Sequence, residues 1–274
     1  MNLYGCYFSF GGVSSENYNL IFANANTERL LSLNGNYETV SVFNKSGVRK
    51  HFIKDDYKDS PITFDAEIIT LDATPIDPVR RRTIEKWLFS YAGYRKMYPL
   101  GEDNLYEVPD GTDGTSLGQY LNCRFMSPER IEANGGIIGY KFTVECDSHM
   151  AWQDPVLIEN VCNISGTVGT KTITINVDSD LSEYIYPIVK ITTGAVGGNI
   201  YITNQTDDSS RITKFNNLSS NTEITMNGEI NYLSGNHNNF ELPNFIRLLN
   251  GSNTFLLQGN IKSISFKWQN RRFL

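Results

Sequence analysis

The spacing of apolar residues changes period along this chain. From Ile62 to Ile68, Ile62, Phe64, Ala66 and Ile68 alternate with Thr63, Asp65 and Glu67, the period of a half-buried strand. Between Asp77 and Tyr91 the period lengthens. Ile84, Trp87, Leu88 and Tyr91 recur at i, i+3, i+4 and i+7, which predicts a helix with one apolar stripe. Asp77 is suited to the N-cap, Pro78 to the first turn and Gly93 to the stop. Arg80, Arg81, Arg82, Glu85 and Lys86 fall mostly off the stripe and are expected to face solvent or a partner.

The rest of the first half carries the two-residue period. Tyr4, Cys6, Phe8 and Phe10 alternate up to a turn at Gly11-Gly12, and a short strand is predicted from Tyr18 to Phe22. Leu105 to Val108 and Leu121-Cys123-Phe125 are further strand candidates. Ile138, Tyr140, Phe142, Val144 and Cys146 alternate most cleanly. Residues 27–53 are ambiguous: apolar patches at Leu30, Leu31 and Leu33 and at Val40, Val42 and Phe43 are split by Gly35 and Gly47. They read as a long hairpin or a strand with an extended arm.

The segment HMAWQDPV (His149 to Val156) reads as a linker punctuated by Pro155. Beyond it come short strands at Ile173-Ile175-Val177, Ile188 to Ile191, Ile200-Ile202, Ile224-Met226, Phe255-Leu257 and Ile264-Phe266-Trp268. Turn signals separate them at Gly166, Gly194, Gly197-Gly198, Asp207-Asp208, Gly228, Gly235 and Gly251. Regular short strands with no helix between them predict a β-sandwich. The expected architecture is mainly β: a β domain over residues 1–150 with a helix at about 77–91, then an all-β domain over 151–274.

Composition narrows the function classes. The 274 residues are 40% hydrophobic and 12% aromatic, enough for two strand-rich cores. A net charge of −6 argues against a free-standing nucleic-acid binder, which usually carries a basic patch. The N-terminus has neither the basic region nor the apolar run of a signal peptide, and no stretch is long and apolar enough to predict membrane insertion. Four cysteines without a C-x-x-C predict reduced, buried thiols and synthesis in a cytosol.

Candidate chemistry is sparse. His51, His149 and His237 are far apart, no C-x-x-C or H-E-x-x-H occurs, and no metal or cofactor is expected. No G-x-S-x-G is present. The carboxylate pairs Asp55-Asp56, Glu102-Asp103, Asp110 with Asp113, Asp178 with Asp180, and Asp207-Asp208 could serve a glycosidase only if two faced one cleft. Nearly all sit beside Gly, Pro, Asn or Ser and read as solvated turns. Gly194 to Gly198 (GAVGG) precedes a strand rather than a helix, so it reads as a hairpin loop and not as a phosphate cradle. Trp152 and Trp268 read as core. The residues alone describe a binding or structural protein, not an enzyme.

The order of segments is more specific than any one of them. FSFGGVSSENYNL (Phe8 to Leu20), the lone helix RRTIEKWL, the stretch from Leu100 to Tyr106 and the strand YKFTVECDSHMAW follow one another. YPIVKITTG, GNIYITNQT, NTEITMNGEINYL and the closing FIRLLNGSNTFLLQGNIKSISFKWQNRRFL come after. This series resembles the distal tail protein family of siphoviruses, the hub component of the baseplate. The resemblance implies a split-barrel-like first domain related to tail-tube proteins and a galectin-like β-sandwich outside it. It implies a homohexameric ring in the virion, made in the bacterial cytoplasm, between the tail tube protein and the tail-associated or tail tip protein. The sandwich would dock receptor-binding or side-fibre proteins, and DNA would only pass through the channel.

Ring closure needs head-to-tail contacts. Residues 27–60, with Leu31, Tyr37, Val40 and Val42, form a candidate arm for pairing with a neighbour's sheet edge, or else an ordinary hairpin. Arg80, Arg81 and Arg82 are candidates for interface or surface ion pairs. The alternative from another class is a carbohydrate-binding adhesin or receptor-binding module with the sandwich as its active part. Hubs of contractile phages, defective prophages or bacteriocin particles are a third source of the same first domain.

Overall fold

Seven antiparallel strands form the main path of a ten-stranded sheet, in the spatial order Val13–Ser14, Tyr7–Phe10, Arg95–Leu100, Ser116–Ala133, Gly136–Cys146, Thr63–Thr70 and Leu20–Ala25. They are seen in a computed structural model that describes residues 5–25, 33–41, 48–57, 61–100, 107–109, 116–165, 169–180, 183–234, 240–241 and 244–272. The chain divides into two compact units, one reaching to Trp152 and the other running from Gln153 to Arg272. Among the described residues the architecture is mainly β with one α-helix, as the residue pattern predicts.

The predicted alternation decides which face of the first sheet is buried. Phe64, Ala66 and Ile68 on Thr63–Thr70 and Tyr140, Phe142 and Val144 on Gly136–Cys146 join Phe8, Phe10, Phe22, Met97, Leu121 and Phe125 in one core. Gly136–Cys146 departs from strict pairing at Gly139, where the register with Ser116–Ala133 shifts. A Cβ at Gly139 would lie 2.0 Å from the Ile68 carbonyl oxygen, so only glycine permits the strands to approach this closely.

The helix, Pro78–Phe89, lies over that core. Its cap is the predicted one: an Asp77 carboxylate oxygen accepts from the N–H groups of Val79 and Arg80, both at 3.0 Å. Ile84, Trp87 and Leu88 are buried. Tyr91 is not part of the stripe. The helix ends at Phe89 because Ser90 leaves helical geometry (φ −89°, ψ 3°), its hydroxyl donating to the Lys86 carbonyl. Phe89 packs instead, edge-on against Tyr140 and Phe142, and Tyr91 stays 48% exposed with the Arg95 guanidinium over its ring.

The second unit is a sandwich of two five-stranded antiparallel sheets. One runs in the order Val156–Val161, Ile261–Trp268, Ile188–Thr193, Glu223–Asn227, Tyr232–Leu233. The other runs Thr170–Val177, Gly251–Gly259, Gly198–Asn204, Ile212–Leu218, Phe240–Glu241. Their inner faces share a core in which the Phe255 and Phe266 rings meet across the sheets, with centroids 5.0 Å apart. Trp268 is buried in this core, while Trp152 is only half-buried.

One sequence expectation needs correction here, and two other stretches carry structure that the residue pattern does not show. The division between the two units falls inside HMAWQDPV, after Trp152, but the segment is not exposed: Met150, Ala151 and Gln153 are buried, and Val156 already begins a strand. GAVGG is not a hairpin loop, because the strands on either side of it belong to different sheets. Asn260 holds it in place, its carbonyl accepting from the Gly194 N–H at 3.0 Å and its side-chain amide donating to the Val196 carbonyl. Finally, Ile212–Leu218 is a full strand with a buried Thr213, whose hydroxyl donates to the Asn244 carbonyl at 2.6 Å.

Candidate functional site

Two surfaces of the first unit carry the residues singled out as an arm or interface. The first is a hairpin. Leu33–Ser41 and Val48–Tyr57 pair antiparallel, with Tyr37 opposite Phe52 and Val40 opposite Arg49. This two-stranded sheet hydrogen-bonds to no other described strand. Tyr37 and Val40 therefore share one strand, while Leu31 and Val42 lie outside the described residues. Gly35 falls inside the first strand, while Gly47 lies outside the described residues.

The second surface is the outward side of the helix. Arg80 and Arg82 are exposed and Arg81 half-buried. Arg80 is tied to the body of the unit: it donates to the Asn17 carbonyl at 3.2 Å, with its guanidinium 5.9 Å from the Tyr18 ring centroid. Val79, at 78% exposure, stands beside them. Glu85 does not simply face solvent. Its carboxylate accepts from Arg130 at 3.0 Å and from the Tyr140 hydroxyl at 3.3 Å. Burial first, and then the Glu85 charge, pushes the Tyr140 phenol well above its ordinary range.

Further along the strand that carries Tyr140, Glu145 accepts from the Tyr94 hydroxyl at 2.7 Å and pairs with Arg124 at 2.7 Å. The Tyr94 bond, and then Arg124, hold the Glu145 carboxyl below its usual value. The same bond raises the Tyr94 phenol.

In the second unit, two carboxylate pairs read as solvated turns are not simply that. Asp178 and Asp180 both accept from Arg272, at 2.7 and 3.1 Å, and the Gln153 amide oxygen accepts from the same guanidinium at 3.2 Å. Asn270 donates to that amide oxygen at 2.8 Å and accepts from the Trp268 indole at 2.9 Å. Burial pulls the Arg272 pKa down, but Asp178 and Asp180 outweigh it, so the group stays charged. Asp207 takes a two-pronged contact from Arg247 at 2.7 and 3.0 Å, and the Arg247 guanidinium lies 3.8 Å from the Tyr184 ring centroid. No short-range pattern announces these pairs, since their partners are 40 to 94 residues apart. Among the described residues no group of three metal-ligating side chains converges.

Among the described residues charged side chains come together to lock strands and loops: Asp178 and Asp180 turn to Arg272 and Asp207 to Arg247, while Asp55-Asp56, Glu102-Asp103 and Asp110 with Asp113 lie outside the described side chains.

A family model described as a phage tail protein N-terminal domain matches residues 3–148, and one described as a phage tail C-terminal domain matches residues 157–268. No curated protein sequence matches the chain. Among solved structures, the Dit protein of phage SPP1 shares the fold with a TM-score of 0.63 at 10% identity, over 96% of this chain and 98% of that one. Its structure is described as a paradigm of the hub adsorption apparatus in phages infecting Gram-positive bacteria. A chain of the phage p2 baseplate in its activated conformation aligns over 97% of this chain and 98% of its own, at 8% identity and a TM-score of 0.49.

Proposed function

We propose, on the premise that the chain belongs to the phage tail protein family matched along both its units, that it is a structural subunit of the hub at the tail's distal end. The observation that carries this reading is the fold shared with SPP1 Dit across 96% of the chain, both units included and in the same order. In this reading six copies close into a ring whose channel continues the tail tube. The tail tube protein lies on one side and the tail-associated or tail tip protein on the other. The sandwich stands outside, where receptor-binding or side-fibre proteins dock.

Head-to-tail closure requires surfaces that differ from one another and are complementary. The hairpin Leu33–Ser41 with Val48–Tyr57 supports it, because a two-stranded sheet that pairs with no other described strand is marginal by itself and gains from pairing elsewhere. We assign Leu31, Tyr37, Val40 and Val42 to that contact, and Arg80, Arg81 and Arg82 to a second one on the helix side. The net charge of −6 fits a channel that DNA crosses without adhering, since phosphates are repelled rather than bound.

Light scattering and negative-stain imaging of the purified full chain test the proposal. A hexamer or its double, seen as six-fold rings with a central hole, is the expected result. A monomer at every accessible concentration, or one that binds glycans, would overturn it in favour of the adhesin. Removing the hairpin between Leu33 and Tyr57 should leave a folded chain that no longer assembles.

A further inference from the structure

We infer that Cys123 and Cys146 form a redox couple within the first unit, able to close a reversible disulfide across two neighbouring strands. The two residues are direct partners in the register of Ser116–Ala133 with Gly136–Cys146. The hydrogen bonds around them show which kind of pair they make. The Asp147 N–H donates to the Asn122 carbonyl at 2.9 Å, while the Cys146 N–H turns away to the Ile62 carbonyl at 2.8 Å. Cys123 and Cys146 therefore occupy a non-hydrogen-bonded position, where facing Cα atoms of an antiparallel ladder are about 4.5 Å apart. That spacing falls inside the window a disulfide spans, about 4.4–6.8 Å.

The side chains agree with the backbone. Both cysteines are fully buried on the core face, and the Cys146 thiol is close enough to add to the burial that raises the Cys123 thiol. Neither of the other two cysteines is placed to compete: Cys6 precedes the first strand and Cys162 belongs to the second unit. Burial keeps the Cys123 thiol protonated and slow to react, and a reducing cytoplasm keeps the pair reduced where it is made. A phage tail protein leaves the reducing cytoplasm inside a released particle, which supplies the change of compartment that oxidation requires. On oxidation the two S–H bonds break and one S–S bond forms. Two protons and two electrons pass to the oxidant.

The test uses the folded full chain and diamide, a small neutral oxidant whose N=N bond takes up those protons and electrons to become a hydrazine. The expected product has lost about 2 Da and two of its four titratable thiols, and a digest contains one linked pair of peptides joining Cys123 to Cys146. Dithiothreitol should restore both thiols and reverse any rise in the unfolding midpoint. Four thiols still free after prolonged treatment, or a bond involving Cys6 or Cys162, would overturn the inference. The peptide map is read on the natural sequence, so the test does not depend on a variant folding. Where Cys146→Ala does fold, it should show no diamide-dependent shift.

Discussion

The indole N–H of Trp87 donates to the main-chain carbonyl of Phe10 at 2.9 Å, so the helix is pinned to the first strand by one directional bond inside an apolar core. The ring itself stacks on Phe8 and Tyr18, with centroids 5.9 and 5.1 Å away. Trp87→Phe should keep much of the stacking and lose the bond, leaving a buried carbonyl with one partner fewer. The expected loss of stability is about 1–3 kcal/mol. Trp87→Ala also empties the space under the helix and should cost roughly 3–5 kcal/mol. Urea unfolding of both variants measures the two steps. Equal midpoints for Trp87→Phe and the natural chain would show that the bond contributes nothing net.

Gly139 and Gly135 separate two reasons for a glycine. Gly139 has no room: an added Cβ meets the Ile68 carbonyl oxygen at 2.0 Å and the Ile69 Cα at 2.9 Å, all of it backbone. Gly135 has room but a left-handed backbone, with φ +81° beside Asn134 at +53° in the turn joining the two longest strands of the sheet. Gly139→Ala should force the central strands apart, at a cost above about 4 kcal/mol or with loss of soluble protein. Gly135→Ala should cost only about 1–2 kcal/mol, the penalty of a left-handed non-glycine residue. Thermal unfolding of both variants would rank them; the reverse order would refute the steric argument.

These two positions also show what could be read in advance. The periods of Ile62 to Ile68 and Ile138 to Cys146 predicted strands and their buried faces, because alternation is a local property of a pleated backbone. The Asp77 cap and the Ile84-Trp87-Leu88 stripe were legible for the same reason. What was not legible was set by distant partners. Asp178 and Asp180 look like turn residues until Arg272 arrives from the end of the chain, and Gln153 looks like linker until Asn270 and Arg272 both find its amide oxygen. Ile212–Leu218 escaped because a buried Thr213 interrupts its apolar pattern, its hydroxyl satisfied by the Asn244 carbonyl. Of the proposed assembly surfaces, the hairpin was foreseen as one of two readings of an ambiguous stretch, because Gly35 and Gly47 break its period.

Arg272 offers a test of how much a mixed-exposure ion cluster contributes. Its side chain is 7% exposed, but Asp178 is 77% exposed and Asp180 33%. Removing one partner of a fully buried pair costs about 3–5 kcal/mol. Here the two carboxylates can return to water, and Gln153 retains the Asn270 amide at 2.8 Å. Arg272→Met should therefore cost less than that range, about 1–3 kcal/mol, mostly from the lost hydrogen bonds that tie the end of the chain to Asp178 and Asp180. Arg272→Lys keeps the charge but not the fork and should fall between the two. Chemical denaturation measures all three proteins. Arg272→Met at least as stable as the natural chain would mean that the clamp orders the terminus without stabilising it.

The pH dependence of stability should be a dome whose two sides share the Tyr94–Glu145 contact, with Tyr140 adding to the alkaline one. On the acid side, the Tyr94 hydroxyl and then Arg124 hold the Glu145 carboxyl below its ordinary value of 4.5. A carboxyl with a depressed folded-state pKa binds fewer protons folded than unfolded. Its contribution is present above the unfolded value and is lost as pH falls through the folded one. On the alkaline side, burial raises the Tyr140 phenol above 10.0, and the Glu145 bond raises Tyr94. These contributions are present below that ordinary value and are lost as pH rises past it. Tyr94→Phe removes the contact that matters at both ends, so its stability curve should be flatter than the natural one on both sides. Asp72 and Asp208, held low by Thr74 and Ser210, steepen the acid side in both proteins alike and cancel from the comparison. Tyr140→Phe should flatten the alkaline side while leaving the Glu145 contact intact. Urea midpoints measured from about pH 3 to about pH 11 decide the matter. If the natural and Tyr94→Phe curves run parallel between about pH 3 and pH 7, the Tyr94–Glu145 bond does not couple protonation to folding.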